Sequence, residues 1–164
     1  MGEKKNWSLT FLIIVELLGG SFMAKYRVGY TTGVYDMFHI GHLNLLNHAK
    51  EYCDYLIVGV NADELVKSYK NKVPVINEKD RQLIVSNIKA VDECIVATTL
   101  DKVETWKQLH FDAIFIGDDW KGNIRWMHTE EELKPYGAEV VYLPHTEGIS
   151  STILRPREKM KIEE

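Results

Sequence analysis

A chain of 164 residues, 45% hydrophobic and 27% charged, has the length and composition of one globular domain able to bury a proper core. Its formal net charge of −4, with both signs interleaved, excludes the basic face that non-specific binding to a nucleic-acid backbone requires, yet leaves room for a local positive pocket around a phosphate. Two distant cysteines, Cys53 and Cys94, without Cys-x-x-Cys spacing, read as buried free thiols in a reducing cytoplasm; with six scattered histidines they are too dispersed for a zinc site.

The first 22 residues differ from the rest. Lys4 and Lys5 precede an apolar stretch, Leu9 to Leu18, with a superficial likeness to a signal peptide. Glu16 interrupts that stretch, and it is too short to span a bilayer, so no membrane insertion is expected. Gly19-Gly20 must be encoded by GGN-GGN, which reads as a purine-rich ribosome-binding site upstream of a start at Met23. Residues 1–22 are therefore expected to be a leader or an expression-derived segment, and residues 23–164 the folded domain.

From Lys25 onward, short apolar runs alternate with helical patterns. Strands are expected at Tyr26–Tyr30, Tyr55–Val60, Glu93–Ala97, Ala113–Gly117 and Glu139–Leu143. Helices are expected at His39–Tyr52, Ala62–Ser68, Glu78–Ile88, Lys102–Leu109 and Thr129–Lys134. Several strands are almost continuously apolar, as when both sheet faces are covered. The alternation implies right-handed crossovers and a single-domain α/β fold, a Rossmann-like, doubly wound sheet of about five parallel strands. Ligands in such sheets bind beyond the carboxyl ends of the strands, so the segment after each strand carries the functional signal.

After the first strand comes Thr31-Thr32-Gly33-Val34-Tyr35-Asp36-Met37-Phe38, then His39-Ile40-Gly41-His42. Gly33 is expected to let the backbone turn tightly and approach a ligand. His39 and His42, three apart where a helix begins, can share one face. The helix N-terminus presents N–H groups to an anion, and Gly41 leaves no side chain to block a phosphate. A lone histidine here would read as a cap or a packed side chain; the whole run after a strand reads as a phosphate site. It resembles the His-x-Gly-His hallmark of the nucleotidylyltransferase superfamily. Class I aminoacyl-tRNA synthetases share that hallmark, but they also need a Lys-Met-Ser-Lys-type loop and a far longer chain.

Three further segments bear on the ligand. Lys67 to Arg81 reads by itself as a charged loop entering a helix capped by Asn77. The string Gly117-Asp118-Asp119-Trp120-Lys121-Gly122 reads equally as a base- or sugar-reading edge or as a turn. After Pro144 comes His145-Thr146-Glu147-Gly148-Ile149-Ser150-Ser151-Thr152, whose hydroxyls open a terminal helix and, alone, would read as an ordinary helix cap. Coupled to the first motif, this last segment resembles the Arg-Thr-Glu-Gly-Ile-Ser-Thr-Thr segment of the cytidylyltransferases. The Asp-Asp-Trp string and Tyr142-Leu143-Pro144 are similar to those of members acting on glycerol-3-phosphate. The likeness runs from about Tyr26 to Thr152. It departs at His145 and Lys89, where the family has arginine, and at Thr98–Lys102, which lacks a tryptophan; Trp106 on its helix reads as core packing.

The resemblance implies transfer of CMP from CTP to a small phosphorylated alcohol, glycerol-3-phosphate first, with phosphocholine or phosphoethanolamine as alternative acceptors. An ATP-using enzyme of the same fold and a non-catalytic nucleotide-binding regulatory module are the rival readings. The same resemblance places His39 and His42 on the α/β-phosphates, Lys70, Lys72 and Arg81 around the triphosphate and acceptor phosphate, and Ser150, Ser151 and Thr152 at the β/γ end. Thr32, Gly33, Val34, Tyr35, Asp36, Gly41, Asp118, Asp119, Trp120, His145, Thr146, Gly148 and Ile149 complete the implied nucleotide site. Mg²⁺ is expected to arrive bound to CTP, with no dedicated protein ligands. A homodimer is expected by resemblance.

Overall fold

Five parallel strands in the order β3-β2-β1-β4-β5 form the centre of the protein, seen in a computed structural model that describes residues 24–154. The expected leader at residues 1–22 lies outside the described residues. The strands are β1 (Tyr26–Gly33), β2 (Cys53–Asn61), β3 (Glu93–Ala97), β4 (Ala113–Gly117) and β5 (Glu139–Leu143). The helices are α1 (Ile40–Tyr52), α2 (Asp63–Lys70), α3 (Glu78–Ser86), α4 (Lys102–Leu109), α5 (Ile124–Leu133) and a last turn, α6 (Ser151–Leu154). The order reverses at β1, which pairs with β2 on one side and β4 on the other, so the switch point lies between β1 and β4. Among the described residues no helix is long and apolar enough to cross a membrane.

Alternation along the central strands feeds two cores, one on each face. Tyr26, Leu56, Val58, Val60, Ala113 and Phe115 pack with Leu46 and Ala49 of α1 and Val85 of α3. On the opposite face Tyr30, Ile57 and Ile114 meet Trp126 and Leu133 of α5 and the apolar residues of α4, Trp106 among them. Full burial of one such aliphatic side chain is worth about 1.5–3 kcal/mol, which makes the central strands the most strongly determined part of the sheet.

Several boundaries differ from expectation. Strand β1 continues through Gly33 and β2 through Asn61, because polar side chains at their ends are satisfied across the sheet. Thr31 Oγ1 donates to the Phe115 carbonyl at 3.0 Å and Thr32 Oγ1 to the Gly59 carbonyl at 3.0 Å. Helix α3 stops at Ser86 rather than Ile88, where Asn87 N–H turns back to the Ile84 and Val85 carbonyls. Helix α5 starts at Ile124, earlier than expected, because Asn123 Oδ1 accepts the Arg125 N–H and caps it.

Candidate active site

The histidine pair sits where α1 leaves the sheet. His39 is the N-cap of α1, with extended backbone, and its Nδ1 accepts the Gly41 N–H at 3.1 Å. An accepting Nδ1 carries no proton, so the proton of a neutral His39 ring resides on Nε2. His42 stacks on His39 with ring centroids 3.8 Å apart. Two imidazolium charges at that separation would repel by about 4 kcal/mol at the effective dielectric of a protein surface. Burial lowers the pKa of His39, and burial followed by the neighbouring His39 brings that of His42 down to about 4. His42 Nδ1 is buried with no hydrogen-bond partner. Near neutrality the pair is thus two uncharged rings, and in His39 the capping bond leaves Nε2 as the donor.

Gly41 has a different reason from the one its position suggests. A Cβ there would stand 2.9 Å from His39 Cε1, 3.0 Å from Nδ1 and 3.3 Å from Ile149 Cγ2. The missing side chain makes room for the His39 ring to cap its own helix, and for Ile149 of the second motif to pack on top. Gly33, likewise, is the last residue of β1 and not the tight turn expected of it. The turn falls to Tyr35 and Met37, both in the left-handed region at φ 54° and 49°. Such backbone costs a non-glycine residue roughly 1–2 kcal/mol and persists only when its surroundings hold it.

Asp36, between those two residues, supplies the hold. It is 2% exposed, and its two carboxylate oxygens accept the Val75 and Ile76 N–H groups, each at 2.9 Å. Ser151 Oγ donates to the Asp36 carbonyl at 3.0 Å. Asp36 thus orders the turn through its backbone partners while still lining the cleft. This residue pins the lysine loop and the last helix to the histidine turn.

The consequence is a cleft of about 110 Å³ lined by Val34, Asp36, Lys70, Lys72, Ser151 and Thr152 among others. Both expected lysines and two of the three expected hydroxyls meet there. Ser150 caps α6 instead, accepting the Ile153 N–H at 3.3 Å. Arg81 also departs from expectation. Its guanidinium is fully buried, with Nε on the Ile76 carbonyl, Nη1 on the Val34 and Asn61 carbonyls and Nη2 on Asp63 at 2.5 Å. A side chain so engaged positions the strand ends and cannot also reach a triphosphate. Arginine suits that task because its planar fork satisfies several acceptors at once.

At the other rim, Asp118, Asp119 and Trp120 form a 3-10 turn after β4 and are all exposed. His145 Nδ1 lies 2.8 Å from Asp118 Oδ1, which also accepts the His145 N–H at 3.2 Å. The Asp118 side-chain bond is the main cause that raises the His145 pKa, so this imidazole keeps its proton at higher pH than an ordinary histidine. Asp118, Asp119 and His145 bring ligand atoms within 4.8 Å of one another, yet the group is wholly exposed and already bonded internally. Thr146 is tied to α1 through Asn44 Nδ2 at 2.9 Å, and Gly148 takes a left-handed φ of 76°. Thr32 Oγ1 also donates to Asn61 Oδ1 at 2.9 Å, and Asn61 Nδ2 donates to Tyr69 Oη at 3.0 Å. Neither Asn44 nor Asn61 belongs to a motif; the usable signal for Asn61 was a polar residue closing an apolar strand.

A parallel sheet with this strand order and a His-x-Gly-His turn at its switch point is the nucleotidyltransferase fold. The cytidylyltransferase-like family model matches residues 30–157, and the chain belongs to that family. Over 126 residues it is 39% identical to the glycerol-3-phosphate cytidylyltransferase of Bacillus spizizenii, covering 76% of this chain and 92% of that protein. Over 117 residues it is 38% identical to the FAD synthase of Thermococcus kodakarensis, covering 69% and 76%. The crystal structure of a lipopolysaccharide core biosynthesis protein from Thermoplasma volcanium shares the fold, with a TM-score of 0.66 at 24% identity, over 74% of this chain and 99% of that one.

Proposed function

We propose that this protein transfers CMP from CTP to glycerol-3-phosphate, giving CDP-glycerol and pyrophosphate. An oxygen of the acceptor phosphate attacks the α-phosphorus of Mg²⁺-bound CTP. The new P–O bond forms as the bond to the bridging oxygen of the β-phosphate breaks, and pyrophosphate leaves in line. A phosphate monoester is already largely dianionic at neutral pH, since its second pKa is about 6, so no general base is required. The work left to the protein is positioning and charge stabilisation.

The stacked His39–His42 pair at the start of α1 is the observation that carries this reading. In it, Nε2–H of each ring donates to α/β-phosphate oxygens as charge develops on them. Lys70 and Lys72 neutralise the triphosphate from one side of the cleft, and Thr152 with the α6 backbone holds its far end. Asp118, Asp119 and Trp120 contact the nucleoside, and the proton of His145 stands in for the family's arginine. The reaction belongs in the cytoplasm, which suits two cysteines held as free thiols, and the working unit is a homodimer. Adenylyl transfer is the second reading, favoured by the likeness to an FAD synthase, whose named product contains adenine.

A pyrophosphate-release screen crossing CTP and ATP with glycerol-3-phosphate, phosphocholine and phosphoethanolamine tests both. The expected pair is CTP with glycerol-3-phosphate. His42→Ala is expected to lower turnover about 10²–10³-fold, the usual effect of deleting one transition-state donor, without changing the unfolding midpoint by more than a few degrees. Release with ATP alone, or undiminished turnover in folded His42→Ala, refutes the proposal.

A further inference from the structure

The lysine loop is held at both ends. Asp36 takes its far end, at Val75 and Ile76. Its near end leaves the last turn of α2, where Asn71 closes the helix in the left-handed region at φ 50°, its N–H on the Lys67 carbonyl at 3.0 Å. Lys70 is the last residue of α2 and lines two cavities, the cleft it shares with Lys72 and a second of about 180 Å³ beyond the ends of β1, β2 and β4. A lysine is a point charge on a flexible four-carbon stem, so one that borders two cavities requires a support to fix where its charge stands.

Tyr69 is placed to be that support. Ala62, the N-cap of α2, Val66 and Tyr69 recur at helical spacing, which sets them on the face of the helix turned to the sheet; Ala62 and Val66 are buried there. The Tyr69 hydroxyl accepts Asn61 Nδ2 at 3.0 Å. Asn61 is itself held: it is 4% exposed, its Oδ1 accepts Thr32 Oγ1 at 2.9 Å, and its backbone carbonyl accepts Arg81 Nη1 at 2.9 Å. The last turn of α2 is thereby tied to the carboxyl ends of β1 and β2. Lys70 Nζ stands 5.6 Å from the centroid of the Tyr69 ring, within reach of a cation–π contact. Consecutive helical residues do not share a face, so the Lys70 stem turns back toward the sheet to bring its charge there.

We infer that Tyr69 is a positioning residue for Lys70. Its hydroxyl, held by Asn61, seats the end of α2 on the sheet, and its ring keeps the lysine charge beside the cleft before a nucleotide arrives. This role rests on the cytidylyltransferase reading, in which Lys70 neutralises the triphosphate, and gives that lysine its support. A long side chain already held in place has less freedom to lose when it meets a phosphate. An aromatic ring suits a temporary hold, because a cation–π contact at a partly exposed site is weak beside a charge-assisted bond to phosphate. The ammonium can therefore leave the ring for the ligand while Tyr69 stays on Asn61.

A double-mutant cycle tests it, with kcat/KM for CTP measured at saturating glycerol-3-phosphate in Tyr69→Phe, Tyr69→Leu, Lys70→Met and the double variant Tyr69→Leu/Lys70→Met. Loss of the Lys70 charge is expected to lower kcat/KM about 10- to 100-fold. Tyr69→Leu, which removes ring and hydroxyl, is expected to lower it about 5- to 50-fold, and Tyr69→Phe, which keeps the ring, only about 2- to 10-fold. In the Lys70→Met background Tyr69→Leu is expected to lower it by less than about twofold more, since the charge it positions is gone. Both Tyr69 variants leave Asn61 Nδ2 without its acceptor and are expected to unfold at about the same temperature, so the difference in turnover between them belongs to the ring. Equal losses from Tyr69→Leu with and without Lys70 would make the role of Tyr69 purely structural and overturn the inference. Wild-type kcat/KM in Lys70→Met or in Tyr69→Leu overturns it too, and each of these outcomes leaves the reaction standing. No pyrophosphate release by the wild type with CTP and any of glycerol-3-phosphate, phosphocholine and phosphoethanolamine overturns both.

Discussion

Replacing Asp36 by asparagine removes one charge and almost no volume, at a residue that joins three segments of the site. The carboxylate is buried and accepts two backbone N–H groups at 2.9 Å. Hydrogen bonds to a charged group contribute about 1.5–3 kcal/mol each, and neutral ones about 0.5–1.5. In Asp36→Asn one bond is lost to an opposed N–H pair and the other becomes neutral, which sums to about 2–4 kcal/mol of destabilisation. For a domain whose whole stability is about 5–15 kcal/mol, this is a drop of roughly 5–15 °C in melting temperature. Urea unfolding followed by far-UV circular dichroism measures it, with an unchanged m value showing that the native fold is kept. The loop carrying Lys72 is anchored by those same N–H groups, so CTP KM is expected to rise in parallel. A change below about 0.5 kcal/mol, the range of an ordinary surface substitution, would refute the role given to Asp36.

Gly41→Ala separates helix propensity from site geometry. Alanine in a helix interior is favoured over glycine by roughly 1 kcal/mol, yet its Cβ would meet His39 Cε1 at 2.9 Å. Turnover is expected to fall at least tenfold while the unfolding midpoint changes little; full activity would show that the His39 cap is dispensable. His145→Arg tests the rim. Because the Asp118 bond raises the His145 pKa, the positive charge is complete below the ordinary value and is lost as pH climbs through the raised one. Wild-type CTP KM is therefore expected to increase with pH above neutrality and to become flat in His145→Arg. Superimposable pH profiles of the two proteins would remove His145 from nucleotide binding.

Much of the fold was legible because local and tertiary signals agree. Strands β3, β4 and β5 and helix α4 end where expected, at residues whose local chemistry stops the element, such as the Asp101 cap. The start of α5 was hidden because Ile124 and Met127 point to solvent, 84% and 54% exposed, and spoil the apolar period. The histidine pair, the lysines and the terminal hydroxyls were recognisable by residue type and order. Their supports were not. Asp36 meets Val75 and Ile76 across 39 and 40 positions and Ser151 across 115, and no local pattern encodes such pairings. Arg81 escapes sequence reasoning for the same reason: only the packed structure shows that its acceptors are the Val34, Asn61 and Ile76 carbonyls and the Asp63 carboxylate.

The contact between Ser151 and the Asp36 carbonyl also bears on when the protein becomes competent during synthesis. A chain emerging from the ribosome presents its histidine turn early, and the lysine loop can dock on Asp36 once β2 and α3 have emerged. Strand β4 must then insert beside β1 before the switch point exists. The closing hydroxyls come only with the last turn of the described fold, so the cleft lined by Lys70 and Lys72 has no far wall until nearly all of the domain is outside the exit tunnel. Contacts of such long sequence separation are slow to form. Nucleotide is thus expected to recognise, and by mass action to stabilise, the finished chain alone, leaving unfinished intermediates without that protection.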